Sequence, residues 1–293
     1  MSPTIRKVTV LGAGTMGAGI AQAAALAGFS SVMFDLDPAA LQRGHDRAVS
    51  QIDDGVRRGK IAADQADRAR GNLTSSSDLA TAVSGTDLAI EAIPEIMDLK
   101  KKVFAELSRV CGASTILASN TSSLSITTIA EAASSPSRVI GLHFFNPPHI
   151  MKLVEIVRGE LTDDAVLEAS RKFVSALGKE AIVVKDSPGF ATSRLGLALG
   201  LEAMRMLEQG VASAPDIDRA MELGYGHPMG PLKVSDLVGL DVRLSIAEIL
   251  HRELGADQFR PPDILRRLVG EGRLGKKTGQ GFHRWDDTAK KKA

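Results

Sequence analysis

The sequence has one cysteine, Cys111, in 293 residues. A disulfide within the chain is therefore excluded, and a structural zinc site, which draws on several thiolate or imidazole ligands, is disfavoured. The default setting for such a chain is reducing and cytoplasmic. Tryptophan and tyrosine occur once each, which leaves little for the aromatic stacking used by single-strand nucleic-acid binders. An excess of one charge is lacking too, with 36 Lys and Arg against 35 Asp and Glu. No global field draws the protein to nucleic acid or to an anionic membrane. Lys290-Lys291-Lys292 reads as a solvated end. No uncharged apolar run reaches the roughly 18 residues of a membrane-spanning helix. The first apolar run, residues 5–11, has strand length and is not a secretory leader. The six histidines show no His-Glu-x-x-His or comparable spacing, so no metal site is expected.

What is present is a sequence long enough for about two domains, each with its own core. Residues 5–11 read as a buried strand, and Gly12-Ala13-Gly14-Thr15-Met16-Gly17 follows at once. An Ala-rich helical run continues to about residue 27, Gly28 ends it, and residues 31–35 form a second strand. This is a βαβ unit with G-x-G-x-x-G in its first turn, the pattern that binds a dinucleotide. Gly12 permits the tight turn, Gly14 lets the backbone approach a pyrophosphate, and Gly17 lets the helix lie close on the strand. The helix N-terminus offers unpaired N–H groups to the phosphates. Asp35, at the end of the second strand, would accept hydrogen bonds from ribose hydroxyls and repel a 2′-phosphate, which favours NAD over NADP.

Residues 38–71 read as a charged amphipathic helix pair. Further strands are expected at 87–93, 114–120, 138–146, 151–157 and 179–185, with helices at 97–110, 126–133 and 163–177, the last opened by Thr162 as N-cap. At Asp186-Ser187-Pro188-Gly189 the pattern changes, and no strand-like run follows. Helices are expected at 190–208, from Ser213-Ala214-Pro215-Asp216 to Gly224, and at 232–239, 241–254 and 263–270. The fold class is thus an α/β Rossmann-like domain over 1–186 followed by a smaller all-α domain over 187–293. One motif is a decoy. Residues 270–276 spell G-x-x-x-x-G-K, but Lys277 stands where a phosphate-binding loop needs Ser or Thr, and a helix rather than a strand precedes it.

The stretch VIGLHFFNPPHIMKLVEIV, residues 139–157, reads as two β-type runs joined by a proline turn. His143 and Glu155 are symmetric about residue 149. A hairpin centred there makes them cross-strand neighbours, and a carboxylate beside an imidazole fixes its tautomer and raises its basicity. Ser122 follows a strand at the same rim, where it can bond a substrate oxygen or act as a turn serine.

Taken in order, GAGTMG (12–17), Asp35, EAIPE (91–95), ASNTSSL (118–124), HFFNP (143–147), MKLVEIV (151–157), DSPGF (186–190), HPMGP (227–231) and GKKTGQGF (275–282) resemble the 3-hydroxyacyl-CoA dehydrogenase family, over nearly the whole chain. The resemblance implies an NAD domain and a helical C-terminal domain that forms a homodimer interface. It implies His143 as catalytic base, Glu155 as its orienting partner and Ser122 as the group binding the substrate's C3 oxygen. It places Glu95, Lys100 and Asn146 near the cofactor, and Lys277 within its reach. Two positions depart from the family pattern. Ser193, before Arg194, stands where relatives usually carry a substrate-binding, catalytic asparagine. Ser50 and Asp54 stand where relatives carry lysines for the CoA phosphates, and Asp53-Asp54 would repel such a phosphate, leaving Arg57, Arg58 and Lys60 to substitute. The expected activity is reversible oxidation of a short 3-hydroxyacyl-CoA. Oxidation of a free hydroxy acid, of gulonate or carnitine type, and a non-catalytic NAD-binding role are the alternatives.

Overall fold

The computed structural model describes residues 4–285, and the chain divides into two compact units between Ser187 and Pro188. The first is built on eight strands: β1 (Lys7–Leu11), β2 (Ser30–Phe34), β3 (Leu73–Ser76), β4 (Leu88–Glu91), β5 (Ile116–Ser119), β6 (Val139–Phe144), β7 (Leu153–Arg158) and β8 (Glu180–Lys185). They form one sheet in the order β3-β2-β1-β4-β5-β6-β7-β8. Pairing from β3 through to β6 is parallel, β6 with β7 is antiparallel, and β7 with β8 is parallel again. Helices α1 (Thr15–Leu26), α2 (Pro38–Arg57), α3 (Ala63–Asn72), α4 (Leu79–Val83), α5 (Met97–Val110), α6 (Ile126–Ala130) and α7 (Asp164–Ala176) connect them.

β4, β5 and β6 are buried along their whole length, the pattern of strands covered on both faces by crossover helices. From β1 the chain steps outward through β2 to β3, then returns to β4 on the other side. The carboxyl ends of β1 and β4 therefore flank a topological switch point, where an open α/β sheet forms its ligand crevice. Gly59, at φ +66°, turns the chain between α2 and α3, a conformation that costs a glycine no steric clash.

Two short elements lie outside the expected pattern, and one expected cap needs correction. Leu73-Thr74-Ser75-Ser76 has the composition of a loop, yet it is β3, because the open edge of β2 supplies parallel partners for its backbone. The short α4 follows it, with Asp78 accepting from Thr81 N. Thr162 does not cap α7. Asp163 occupies that position without a side-chain bond, while the buried Thr162 hydroxyl donates to Val139 O at 2.6 Å. A hydroxyl enclosed beside a strand end must find an acceptor, and the nearest carbonyl outweighs the helix terminus.

The second unit contains α8 (Thr192–Glu208), α9 (Ala214–Gly224), α10 (Pro231–Val238), α11 (Leu240–Leu254) and α12 (Asp263–Gly270). Leu197, Leu201, Met204, Leu232, Leu250 and Leu265 lie in its core. Ser213 caps α9 by accepting from Asp216 N. Two buried carboxylates fasten the segment after α12. Asp236 accepts from Phe282 N, His283 N and Trp285 Nε1, each at 2.9 Å. Asp218 accepts from Leu232 N, Lys233 N and the His283 ring. A Cβ at Gly230 would sit 2.2 Å from Asp218, and one at Gly275 would sit 2.2 Å from Asp236 O. The glycines of HPMGP and GKKTGQGF thus clear space for these bonds. Gly275 leads into a single 3-10 turn, Lys276–Thr278, so the decoy motif opens no helix. Lys290-Lys291-Lys292 lie outside the described residues.

Candidate active site

Local backbone demands explain the glycine loop. Gly12 has φ +99°, and a Cβ there would lie 2.6 Å from Ala92 O. A Cβ at Gly17 would collide with Gly12 O at 1.7 Å, so this glycine lets α1 descend onto the end of β1. A Cβ at Gly14 would meet nothing within 4 Å, which leaves the backbone open to a ligand. No side chain caps the N-terminus of α1 and its first turn holds no acidic residue, so its N–H groups suit an anion. Asp35 stands after β2, with one oxygen 2.8 Å from Ala13 N and the other 3.0 Å from Asp37 N. Each oxygen keeps a lone pair for a ribose hydroxyl. The loop, Ala13, Thr15, Met16 and Asp35 line a cleft of about 740 Å³, a size that fits a cofactor. These features match what a dinucleotide needs. Sequence reasoning missed two residues here. Arg43 and Arg47, one turn apart on α2, also line the cleft, and Arg47 donates to Thr15 Oγ1 at 3.2 Å. In sequence they look like solvated helix charges.

At the end of β4 lies a second network. Lys100 and Glu91 are almost completely buried, and the ammonium sits 2.6 Å from Glu91 and 3.2 Å from Glu95. Glu91 also accepts from Ser119 Oγ at 2.7 Å and Ile93 N at 2.8 Å. Glu95 accepts from Thr121 Oγ1 at 2.5 Å and Ser122 N at 3.0 Å. Burial alone raises the Glu95 carboxyl, but Lys100 and the Thr121 and Ser122 donors outweigh it and hold the group below its usual range. Lys100 is enclosed, so it acts on Glu95 rather than on the cleft surface. Glu95 in turn fixes the loop that carries Ser122. Glu91 was missed as well; its one signal is a carboxylate ending an otherwise apolar strand.

The hairpin brings His143 opposite Glu155 in antiparallel register. His143 Nδ1 is 2.7 Å from Glu155 Oε2, the carboxylate is fully buried and the ring is 7% exposed. Nδ1 is thus engaged by the carboxylate, which fixes the orientation of the ring. The turn holds a cis Asn146-Pro147 bond and is tied back by Lys179 Nζ, which donates to Pro148 O at 2.6 Å and Met151 O at 2.7 Å. Pro148 packs on α1 at Gly19, where a Cβ would lie 2.8 Å from its ring. β6 is bound to β5 by Asn120 Oδ1, which accepts from Phe144 N at 2.9 Å. Gly12, Asp35, Glu95, Ser122, His143 and Asn146 therefore all lie at the carboxyl-end rim of the parallel strands.

The remaining sequence-assigned residues belong to other elements. Ser193 is in the first turn of α8, in the second unit. Lys277 belongs to that unit too, with Nζ 2.6 Å from both Asp241 oxygens. Arg57 pairs with Asp54, and Arg70 with Asp53. The two aspartates therefore do not present the bare charge that their sequence suggests. Arg58 and Lys60 are exposed beside the α2–α3 turn and form no ion pair among the described residues.

No helix among the described residues is long and apolar enough to cross a membrane. Residues 7–187 match the model of the 3-hydroxyacyl-CoA dehydrogenase NAD binding domain, and residues 189–285 that of the family's C-terminal domain. The chain is 43% identical to a probable 3-hydroxybutyryl-CoA dehydrogenase of Bacillus subtilis over 283 residues, 97% of this chain and 98% of that one. It is also 43% identical to a 3-hydroxybutyryl-CoA dehydrogenase of Mycobacterium tuberculosis, over 97% of this chain and 99% of that one. The crystal structure of (S)-3-hydroxybutyryl-CoA dehydrogenase from Ralstonia eutropha superposes with a TM-score of 0.94 at 40% identity, covering 97% and 100% of the two chains. With both domain models matched in order along nearly its whole length, the chain belongs to the 3-hydroxyacyl-CoA dehydrogenase family.

Proposed function

We propose that this protein is an NAD-dependent L-3-hydroxyacyl-CoA dehydrogenase of the 3-hydroxybutyryl-CoA type, interconverting 3-hydroxyacyl-CoA and 3-ketoacyl-CoA. The observation that carries the reading is the His143–Glu155 pair, 2.7 Å apart in one hairpin of the sheet that also carries the glycine loop. Bound NAD supplies a hydride acceptor for C3. Glu155 accepts the Nδ1 proton of His143, which holds Nε2 unprotonated and able to take the hydroxyl proton as the C3–O bond becomes a carbonyl. The imidazolium formed is stabilised by the buried carboxylate. Ser122 donates to the developing C3 carbonyl, on a loop fixed by Glu95. Gly12 to Gly17 and Asp35 hold the cofactor, with Asn146 near it, while Lys100 acts through Glu95. Ser193 is the substrate-binding position of the second unit, and Lys277, paired with Asp241 in that unit, is assigned to the cofactor by the family resemblance alone.

Arg58 and Lys60 are the cations best placed to meet the CoA phosphates, since Arg57 is committed to Asp54. The single cysteine favours a reducing cytoplasm. A homodimer through the second unit is what the family resemblance implies, and Leu195, Leu223 and Tyr225 are large apolar side chains exposed there.

The direct test is NADH oxidation with acetoacetyl-CoA, set against acetoacetate and other free keto acids. Turnover of the thioester and not of the acids is expected. Turnover confined to a free acid, or none at all, would reject the assignment.

A further inference from the structure

Arg47, on α2, carries a charge that the fold holds against the glycine loop. Gly44 seats α2 there. A Cβ at Gly44 would lie 2.5 Å from Ala13 O and 3.0 Å from Met33 Sδ, so only a glycine lets the helix come this near the loop. Arg43 and Arg47 stand on either side of Gly44, one turn apart, and both line the cleft of about 740 Å³. Their partners differ. Arg43 has a carboxylate at 3.7 Å, that of Asp37. Arg47 forms no ion pair among the described residues, and its Nη1 donates to a neutral group, Thr15 Oγ1, at 3.2 Å.

Thr15 is the first residue of α1, whose N-terminus has no capping side chain and no acidic residue in its first turn. The positive end of a helix dipole, equivalent to roughly half an elementary charge, and a full guanidinium charge therefore converge on one spot. Two such features repel each other unless an anion is shared between them. The Thr15 hydroxyl accepts from Arg47, so its own proton is left to be donated. The side of the loop is also fixed. β2 lies on the side of β1 away from β4, and both Asp35, which suits the adenosine ribose, and α2 follow β2 in the chain. Arg47 thus stands on the adenosine side of the glycine loop.

We propose that Arg47 is a cofactor-binding residue that holds the pyrophosphate of NAD on its adenosine side, together with the Thr15 hydroxyl and the N–H groups of α1. This rests on the cofactor part of the reading above and not on its substrate. The pyrophosphate bridge is doubly anionic, more than the helix terminus alone offsets. A planar guanidinium fork supplies a full charge and two parallel donors to a phosphate. Arg47 therefore strengthens binding of any ligand that carries the adenosine-side phosphate, and does nothing for adenosine itself.

The test is binding in the absence of any acyl-CoA: fluorescence titration with NADH, and displacement of NADH by ADP and by adenosine, for the wild type and for Arg47→Met. Arg47 is exposed, so the variant should fold. It is expected to bind NADH and ADP about tenfold more weakly, the lower end of the range for a charge-assisted hydrogen bond because solvent and salt screen the group. Adenosine should bind equally to both proteins. Added salt should weaken ADP binding to the wild type more than to the variant. The thermal midpoint of the free protein should be unchanged or higher, because a repulsion has been removed. Equal ADP affinity in the two proteins overturns the proposal. So does a loss shared alike by ADP and adenosine, or a free variant that melts at a lower temperature, either of which would make Arg47 a structural residue. A wild type that binds no NADH rejects the cofactor reading and this proposal with it. The expected loss of ADP affinity supports the role of Arg47 even where no acyl-CoA is turned over, so this proposal and the substrate reading fail separately.

Discussion

His143 Nδ1 is held 2.7 Å from a carboxylate with no exposure to water, so in the proposed mechanism the ring acts through its other nitrogen. The expected consequence of His143→Ala is a loss of about 10²- to 10⁴-fold in kcat, the range supplied by a positioned acid–base group. NADH affinity, measured by fluorescence titration, should change little, because the glycine loop and Asp35 are untouched. Turnover within a few-fold of wild type would remove His143 from the mechanism. The acidic pair on α2 shows why charge at this scale must be judged with its partners. Asp53 and Asp54 suggest repulsion of a phosphate, but Arg70 and Arg57 close on them, and their net field is far weaker than two bare carboxylates would exert.

Between β4 and α5, the elements are joined by an ion cluster in which Lys100 and Glu91 are enclosed and Glu95 is exposed. Lys100 has carboxylates on two sides, Glu91 and Glu95, and removing one partner of a buried pair leaves the other uncompensated. Glu95 has a depressed pKa in the fold. Its stabilising contribution is therefore complete above its ordinary unfolded value and is lost as pH falls through the lower folded value. Glu95→Gln should lower the thermal midpoint at neutral pH. The difference from wild type should shrink on acidification below the ordinary glutamate range, as both proteins come to carry a neutral side chain there. A difference in Tm that stays constant across that window would show that the charge of Glu95 does not matter.

At the level of the whole molecule, two units each bury an apolar core of their own, and the second also exposes large apolar side chains. Leu223 is 69% and Tyr225 79% exposed. Sedimentation equilibrium should give twice the chain mass. Leu223→Asp with Tyr225→Asp should shift the equilibrium toward monomer, because two charges in an apolar interface must be desolvated without partners. An unchanged sedimentation profile would place the interface elsewhere.

The sequence alone determined the βαβ glycine loop, Asp35, the alternation that makes residues 139–157 a hairpin, and the change from strands to helices near residue 186. These are legible because the constraint is local. Gly12 must take a positive φ, apolar residues must repeat with the period of their element, and His143 and Glu155 are equidistant from the turn. β3, the cluster around Lys100, and the cleft-facing places of Arg43 and Arg47 were not legible. The strand exists because β2 offers an edge, the cluster because β4, α5 and the loop after β5 converge, and the arginines matter because α2 lies along the cleft. Arg243 looks like any other charge on an amphipathic helix, and Lys277 like a free cofactor ligand. Only tertiary structure decides that the first is buried and the second is held by Asp241, because burial and charge pairing depend on residues brought together from distant parts of the chain.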